Sequence, residues 1–146
     1  MLDENYIKES IKEAEGFRNK IYLCTEGFET IGYGHKCIEP HWDKNKIYTT
    51  EKLNKIFKDD FAITKELTLT LLQQYECAFI QDEAYWVLCE MVFQMGRNGV
   101  SKFKNMFKAL QKENYKLASK EMLDSKWYRQ TPNRAKKLSN LMKSIV

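Results

Sequence analysis

Ile7, Ile11 and Ala14 recur at helical spacing, which predicts a short amphipathic helix over residues 3–14. Gly16 stands just past its end, where a left-handed residue commonly closes a helix. The pattern then changes. Residues 20–23 and 29–35 are rich in β-branched and aromatic side chains, and Thr25, Glu26 and Gly27 lie between them, which predicts a β-hairpin. A third short strand is expected near Ile38. Residues 39–48 read as a loop, and Thr49 is a suitable N-cap with Glu51 in the first turn behind it. From there Leu53, Ile56, Phe57, Phe61 and Leu67 fall on one face of a helix of about twenty residues. Residues 82–95 are apolar almost all round and predict a buried central helix, broken at Asn98-Gly99. Shorter helices fill residues 101–146, with Trp127, Tyr128 and Pro132 at one junction.

These elements make an α+β fold: a small sheet-containing N-terminal lobe, a long connecting helix and a mainly helical C-terminal lobe. A chain of 146 residues can bury one core of its own. With 43% hydrophobic and 30% charged residues it is not a disordered chain. No apolar run approaches the ~18 residues of a spanning helix. The first twenty residues alternate charge with isolated apolar side chains, unlike a signal peptide, so the chain is expected in the cytoplasm where it is made. Four cysteines, at 24, 37, 77 and 89, without a secretion signal predict free thiols.

Charge sharpens the picture. The net charge is +4, but residues 101–146 hold 12 Lys+Arg against 3 Asp+Glu, while residues 1–100 hold 12 against 17. A basic C-terminal third suits a polyanionic partner, nucleic acid or an envelope polymer, and equally suits a solvated lysine-rich surface. No nucleic-acid recognition motif accompanies it, and the aromatic residues there read as core, so no nucleic acid is expected as partner.

Glu15 stands at the end of the first helix, directly before the hairpin. A glycosidase needs a carboxyl group that stays protonated near neutral pH and passes its proton to the leaving oxygen. Burial at such a junction raises a carboxyl pKa toward that role. An isolated Glu near a helix end is ordinarily a surface charge, and its surroundings decide otherwise. The segment Glu15-Gly16-Phe17-Arg18, Ile21-Tyr22, Cys24-Thr25-Glu26-Gly27, Thr30-Ile31-Gly32-Tyr33-Gly34-His35 resembles the active-site segment of the phage-type lysozymes, glycoside hydrolase family 24. Met91-Val92-Phe93-Gln94-Met95-Gly96 is similar to the central helix of the family's T-even members. Trp127-Tyr128-Arg129-Gln130-Thr131-Pro132-Asn133-Arg134-Ala135 matches them at nearly every position.

The resemblance implies a lysozyme-like single domain over residues 1–146, with lobes at about 14–60 and at 1–13 plus 61–146. It implies a muramidase of the endolysin type, cutting the β-1,4 bond between N-acetylmuramic acid and N-acetylglucosamine and lysing the cell. Bacterial peptidoglycan is then the partner, with no cofactor and no metal. A monomer is expected, released by a holin-like protein from the host cytoplasm to act on the wall in the periplasm. The family spacing selects Glu15 as general acid, with Cys24 and Thr30 as its companions. His35 and Asp60 would form a structural ion pair, and Arg134 would orient Glu15. Phe93 and Gln94 would touch the sugar, although Phe93 reads equally well as a core aromatic.

Cys24 stands where the T-even members carry Asp. A thiol with an ordinary pKa near ~8.5 is mostly protonated at pH 7, and a neighbouring Glu15 would raise it further. Cys24 can therefore position water, attack the anomeric carbon directly, or leave a catalytically impaired protein that only binds peptidoglycan. Lys36, Met106 and Glu121 also depart from the family's saccharide contacts. A rival reading takes Cys24, His35, Cys37 and His41 as zinc ligands, although their spacing is not that of a standard finger.

Overall fold

The computed structural model describes residues 1–146. The elements run α1 (Glu4–Glu15), β1 (Arg18–Leu23), β2 (Glu29–Gly32), β3 (His35–Lys36), α2 (Thr50–Gln74), α3 (Asp82–Ser101), α4 (Lys104–Gln111), α5 (Tyr115–Leu123), α6 (Lys126–Gln130) and α7 (Pro132–Lys143). The fold is α+β. The chain divides into two compact units, residues 8–63 and residues 1–7 with 64–146.

In the unit of residues 8–63 the three strands form an antiparallel sheet in the order β1-β2-β3. The third strand is His35–Lys36, earlier than expected, and residues 29–35 are not one strand. The reason is backbone geometry. Gly32 (φ +63°) and Gly34 (φ +80°) adopt left-handed conformations and turn the chain back at Tyr33. Ile38 is left outside the sheet and exposed. Behind the sheet, Ile31, Tyr48 and Leu53 are buried together, with Ile21, Cys37, Trp42 and Ile56 packed against them. Thr49 caps α2, its hydroxyl accepting the Lys52 N–H at 3.2 Å. Leu53, Phe57 and Phe61 form the buried stripe of the helix that follows.

The loop between β3 and α2 is held by His35. Its Nδ1 bonds Asp60 Oδ2 on α2 at 2.8 Å, and its Nε2 bonds Glu39 Oε1 in the loop at 3.0 Å. Trp42 Nε1 donates to the same Glu39 oxygen at 2.7 Å. One imidazole thus ties loop, strand and helix.

In the other unit, Glu4 pairs with Lys65 at 2.9 Å, which joins the first residues of the chain to the second half of α2. Leu67 is not part of the buried stripe. It is exposed, and Thr64, Thr68, Leu71 and Leu72 are buried instead. The two threonines are tolerated there because Thr68 returns its hydroxyl proton to the Thr64 carbonyl at 2.8 Å. α3 buries Ala84, Val87, Leu88, Cys89, Met91 and Val92, and also Glu90. It does not break at Asn98-Gly99. The interruption is Gly96 (φ 79°, ψ 164°); Gly99 stays helical, and a Cβ there would come 3.0 Å from Met95 Cβ. α5 packs on α4 and α7. Buried Ser139 donates to the Ser119 carbonyl at 3.0 Å, so Ser119 donates across the 2.6 Å contact between the two hydroxyls. All four cysteines are free. Burial pushes the thiols of Cys37, Cys77 and Cys89 up to about 11. No helix is long and apolar enough to cross a membrane.

The His35 network sets a pH dependence. Its bond to Asp60, helped by Glu39 and opposed by burial, raises the imidazole from 6.5 to about 9. The same contact lowers Glu39. A raised histidine stabilises the fold fully below 6.5 and loses that contribution as pH rises through about 9. The Glu39 contribution acts in the opposite sense and is lost on acidification. Thermal unfolding between pH 6.5 and 9 is expected to show a stability loss of about 2 kcal/mol in the parent. His35→Gln should be less stable at pH 6 and flat across that window; a parallel decline in both proteins would be evidence against this pairing.

Candidate active site

Glu15 is the last residue of α1. Gly16 (φ +74°) closes the helix, its N–H bonding the Lys12 carbonyl at 3.0 Å, and the chain enters β1 two residues later. The local sequence thereby sets a carboxylate at the point where helix becomes sheet. Its side chain is half-buried and lies against the β2–β3 turn. At Gly34, an added Cβ would come 2.7 Å from Glu15 Oε1 and 3.3 Å from its Cδ. Glycine is needed there twice over, for φ +80° and for the close approach of the carboxylate. Tyr22 senses the same charge. Burial first, then Glu15, raises its phenol and keeps it protonated.

Cys24 follows β1, in the hairpin turn. Its N–H bonds the Phe28 carbonyl at 2.9 Å, and its carbonyl takes the Gly27 N–H at 2.9 Å. The sulfur accepts hydrogen bonds from the Phe28 and Glu26 backbone and from the Thr30 side chain, Phe28 contributing most. These bonds hold the thiol below its usual range, against burial and Glu26. The expectation that a nearby Glu15 raises this thiol is corrected: the turn supplies donors to the sulfur, and the opposing carboxylate is Glu26. Thr30 is buried, and its hydroxyl donates to the Phe28 carbonyl at 2.9 Å. It has a single proton, so the carbonyl and the sulfur compete for it.

The structure thus brings Cys24 and Thr30 into contact and places Glu15 and Cys24 both within electrostatic reach of Tyr22. His35 and Asp60 pair as described and bear on the loop. In the other unit, Arg134 Nε donates to Glu90 Oε2 at 2.8 Å, with Glu90 fully buried. Gln94 is bound at both ends of its amide. It accepts the Trp127 indole N–H at 2.8 Å and donates to Thr131 Oγ1 at 3.2 Å, while Thr131 donates to the Trp127 carbonyl at 3.2 Å. Phe93 beside it is partly exposed. Cys24, His35, Cys37 and His41 do not gather, and no group of three or more His, Cys, Asp or Glu could hold a metal ion. Both His35 nitrogens are taken by carboxylates, and His41 stacks on Trp42.

The sequence placed Tyr22 and Gly34 in the segment of resemblance without giving either a role, and it overlooked Glu39 and Glu90. Gly34 carried the clearest signal, a second glycine two residues after Gly32 in a strand-like run. Glu90, an acid amid an apolar helix, also pointed to a buried partner. Chemically, the arrangement offers a half-buried carboxyl, a thiol surrounded by hydrogen-bond donors, and a hydroxyl whose proton can be redirected.

Gly34→Ala tests the seating of the carboxylate. The atom it meets is the mobile end of a side chain, so the fold should survive at a cost of about 1–2 kcal/mol for the left-handed backbone. The carboxylate must move, and any catalysis that uses Glu15 should fall by about 100-fold. Full activity in a folded Gly34→Ala protein would mean that Glu15 need not occupy this seat.

A family profile described as phage lysozyme matches residues 12–143. The chain is 32% identical to the pre-baseplate central spike protein Gp5 of Enterobacteria phage T4, over 92% of this chain and 27% of the spike protein. It therefore spans about a quarter of that relative's length. It is 30% identical to a Dictyostelium discoideum protein named "Probable T4-type lysozyme 2", over 94% of each chain. It is 30% identical to the endolysin of Acyrthosiphon pisum secondary endosymbiont phage 1, over 80% of this chain and 73% of that protein. The profile covers most of the chain, including the helix end, hairpin and turn that seat Glu15, Cys24 and Thr30, and the protein belongs to the phage lysozyme family of glycoside hydrolases.

Proposed function

We propose that this protein is a muramidase that hydrolyses the β-1,4 bond between N-acetylmuramic acid and N-acetylglucosamine in bacterial peptidoglycan, and that it lyses cells. The observation that carries this reading is the seat of Glu15 against Gly34, with Glu15 and Cys24 both within electrostatic reach of Tyr22 and Thr30 bonded to Cys24. Glu15 is the general acid and protonates the leaving glycosidic oxygen. Cys24 and Thr30 hold and polarise the attacking water. The backbone donors around Cys24 shift it toward the thiolate, and on this reading Cys24 stands where a carboxylate activates water in inverting glycosidases. Family membership supports the reading. Phe93 and Gln94 contact sugar.

The basic residues 101–146 draw the enzyme to anionic walls, so clearing should weaken as salt rises. As an endolysin it is a monomer made in the host cytoplasm and freed by a holin-like protein to act on the wall in the periplasm.

The test compares the parent, Glu15→Gln and Cys24→Ala on permeabilised Gram-negative cells, with mass and anomeric analysis of the first fragments. The parent is expected to release muramic-acid reducing ends with inversion. Glu15→Gln should lose at least about 100-fold, since general acid catalysis alone contributes 10²–10⁴. Cys24→Ala should fall strongly, and Cys24→Asp should match or exceed the parent. Retention of configuration would reject water activation in favour of attack by sulfur. Binding to walls without cleavage by the parent would make the protein a wall-binding one impaired at Cys24.

A further inference from the structure

The loop between β3 and α2 is attached at its start through one imidazole. His35 donates from Nδ1 to Asp60 on α2 at 2.8 Å and from Nε2 to Glu39 at 3.0 Å. The same Glu39 oxygen accepts the Trp42 indole N–H at 2.7 Å. Trp42 meets Tyr48 edge to face, carries His41 stacked on its ring, and has Lys52 Nζ 5.4 Å from its centre. Its sequence neighbours Ile38, Pro40 and His41 are exposed. The far end of the loop is held separately. The Tyr48 N–H donates to the Asn19 carbonyl at 2.9 Å, and the Tyr48 hydroxyl accepts the Asp43 N–H at 2.9 Å. The charged groups facing His35 are few. Asp60 comes from α2, and Glu39 from the loop, its carboxylate favoured by His41 as well. On the sheet, Cys37 stays a neutral thiol until about 11, Glu29 pairs with Lys44 at 3.6 Å, and Lys36 leans over the Phe28 ring.

An imidazole donates from both nitrogens only while it is protonated. Neutral, it keeps one N–H and turns a lone pair toward its other partner. The bond retained is the one to Asp60, which is fixed on a helix and supports the charged ring most. Nε2 then faces Glu39 Oε1 across 3.0 Å with no proton between them, acceptor against acceptor. Glu39 is 35% exposed and can turn to water. We propose that His35 is a proton-operated latch: charged, it holds Asp60 and Glu39 together and keeps Trp42 seated, and on losing one proton it keeps Asp60 and releases Glu39 with Trp42, freeing residues 37–42 while the sheet stays folded. Because the ring titrates at about 9, the latch is closed at neutral pH and opens on the alkaline side. The segment it frees has few buried contacts of its own, which makes local opening cheaper than unfolding the unit.

The experiment uses the full chain with fluorotryptophan in place of its three tryptophans, 42, 86 and 127, and follows their fluorine NMR resonances across the alkaline range. Trp42→Phe assigns the resonance of interest. In the parent, the Trp42 resonance should move with a midpoint near 9 while those of Trp86 and Trp127 hold still, which also reports that the protein remains folded. His35→Gln should leave Trp42 at its alkaline position at every pH. Glu39→Gln leaves the Asp60 bond in place but removes one carboxylate that favours the charged ring, so any remaining step should have a lower midpoint. A Trp42 resonance that does not move through this range, a step that survives in His35→Gln, a midpoint unchanged in Glu39→Gln, or three resonances that move together would each overturn the latch.

Discussion

The candidate site depends on a single close approach: a carboxylate at the end of a helix resting where a glycine has no side chain. Glu15 can occupy its place only because Gly34 leaves it empty, and Gly34 is there only because the chain turns back between β2 and β3. That turn in turn needs left-handed backbone at Gly32 and Gly34. The hairpin geometry and the position of the acid are therefore one constraint. The short β3 follows from it, because the strand must restart immediately after the turn. The pairing of Thr30 with Lys36 follows too, since the turn sets the register of β3 on β2.

Charge is handled differently in the two units. His35 donates to two carboxylates at the margin of solvent, so its network gives stability that titrates. Glu90 and Arg134 are taken almost entirely out of water, where the cost of desolvation is large and is offset only while both partners are present. Such a pair contributes little net stability compared with a well-packed apolar pair, but it fixes Arg134 on α7 against α3 and so fixes where that cation can act.

Periodicity alone exposed the helices, the hairpin and the capping of α2, because each is decided by local spacing. Leu67 shows the limit. Its position on the helical wheel fits a stripe whose buried side is set by tertiary packing, and the stripe passes through Thr64 and Thr68 instead. Asn98-Gly99 shows another limit. Turn-forming residues signal a break only where the backbone uses their freedom, and here Gly96 uses it while Gly99 serves close packing. At the site, the family resemblance pointed to Glu15, Cys24 and Thr30, whereas the direction of the Cys24 shift was not legible. It depends on which N–H groups a five-residue turn aims at sulfur, and composition carries no trace of that.

The ring of bonds among Trp127, Gln94 and Thr131 has a polarity. An indole can only give a proton, so it compels the Gln94 oxygen to face it. The amide nitrogen must then face Thr131, whose own proton is spent on the Trp127 carbonyl. The carboxamide, which by shape alone could sit either way round, has one permitted orientation and one N–H left uncommitted. A donor of fixed direction reads only one letter of a ligand's chemistry: whatever meets Gln94 through that group must present a hydrogen-bond acceptor, and a group that can only donate would be refused.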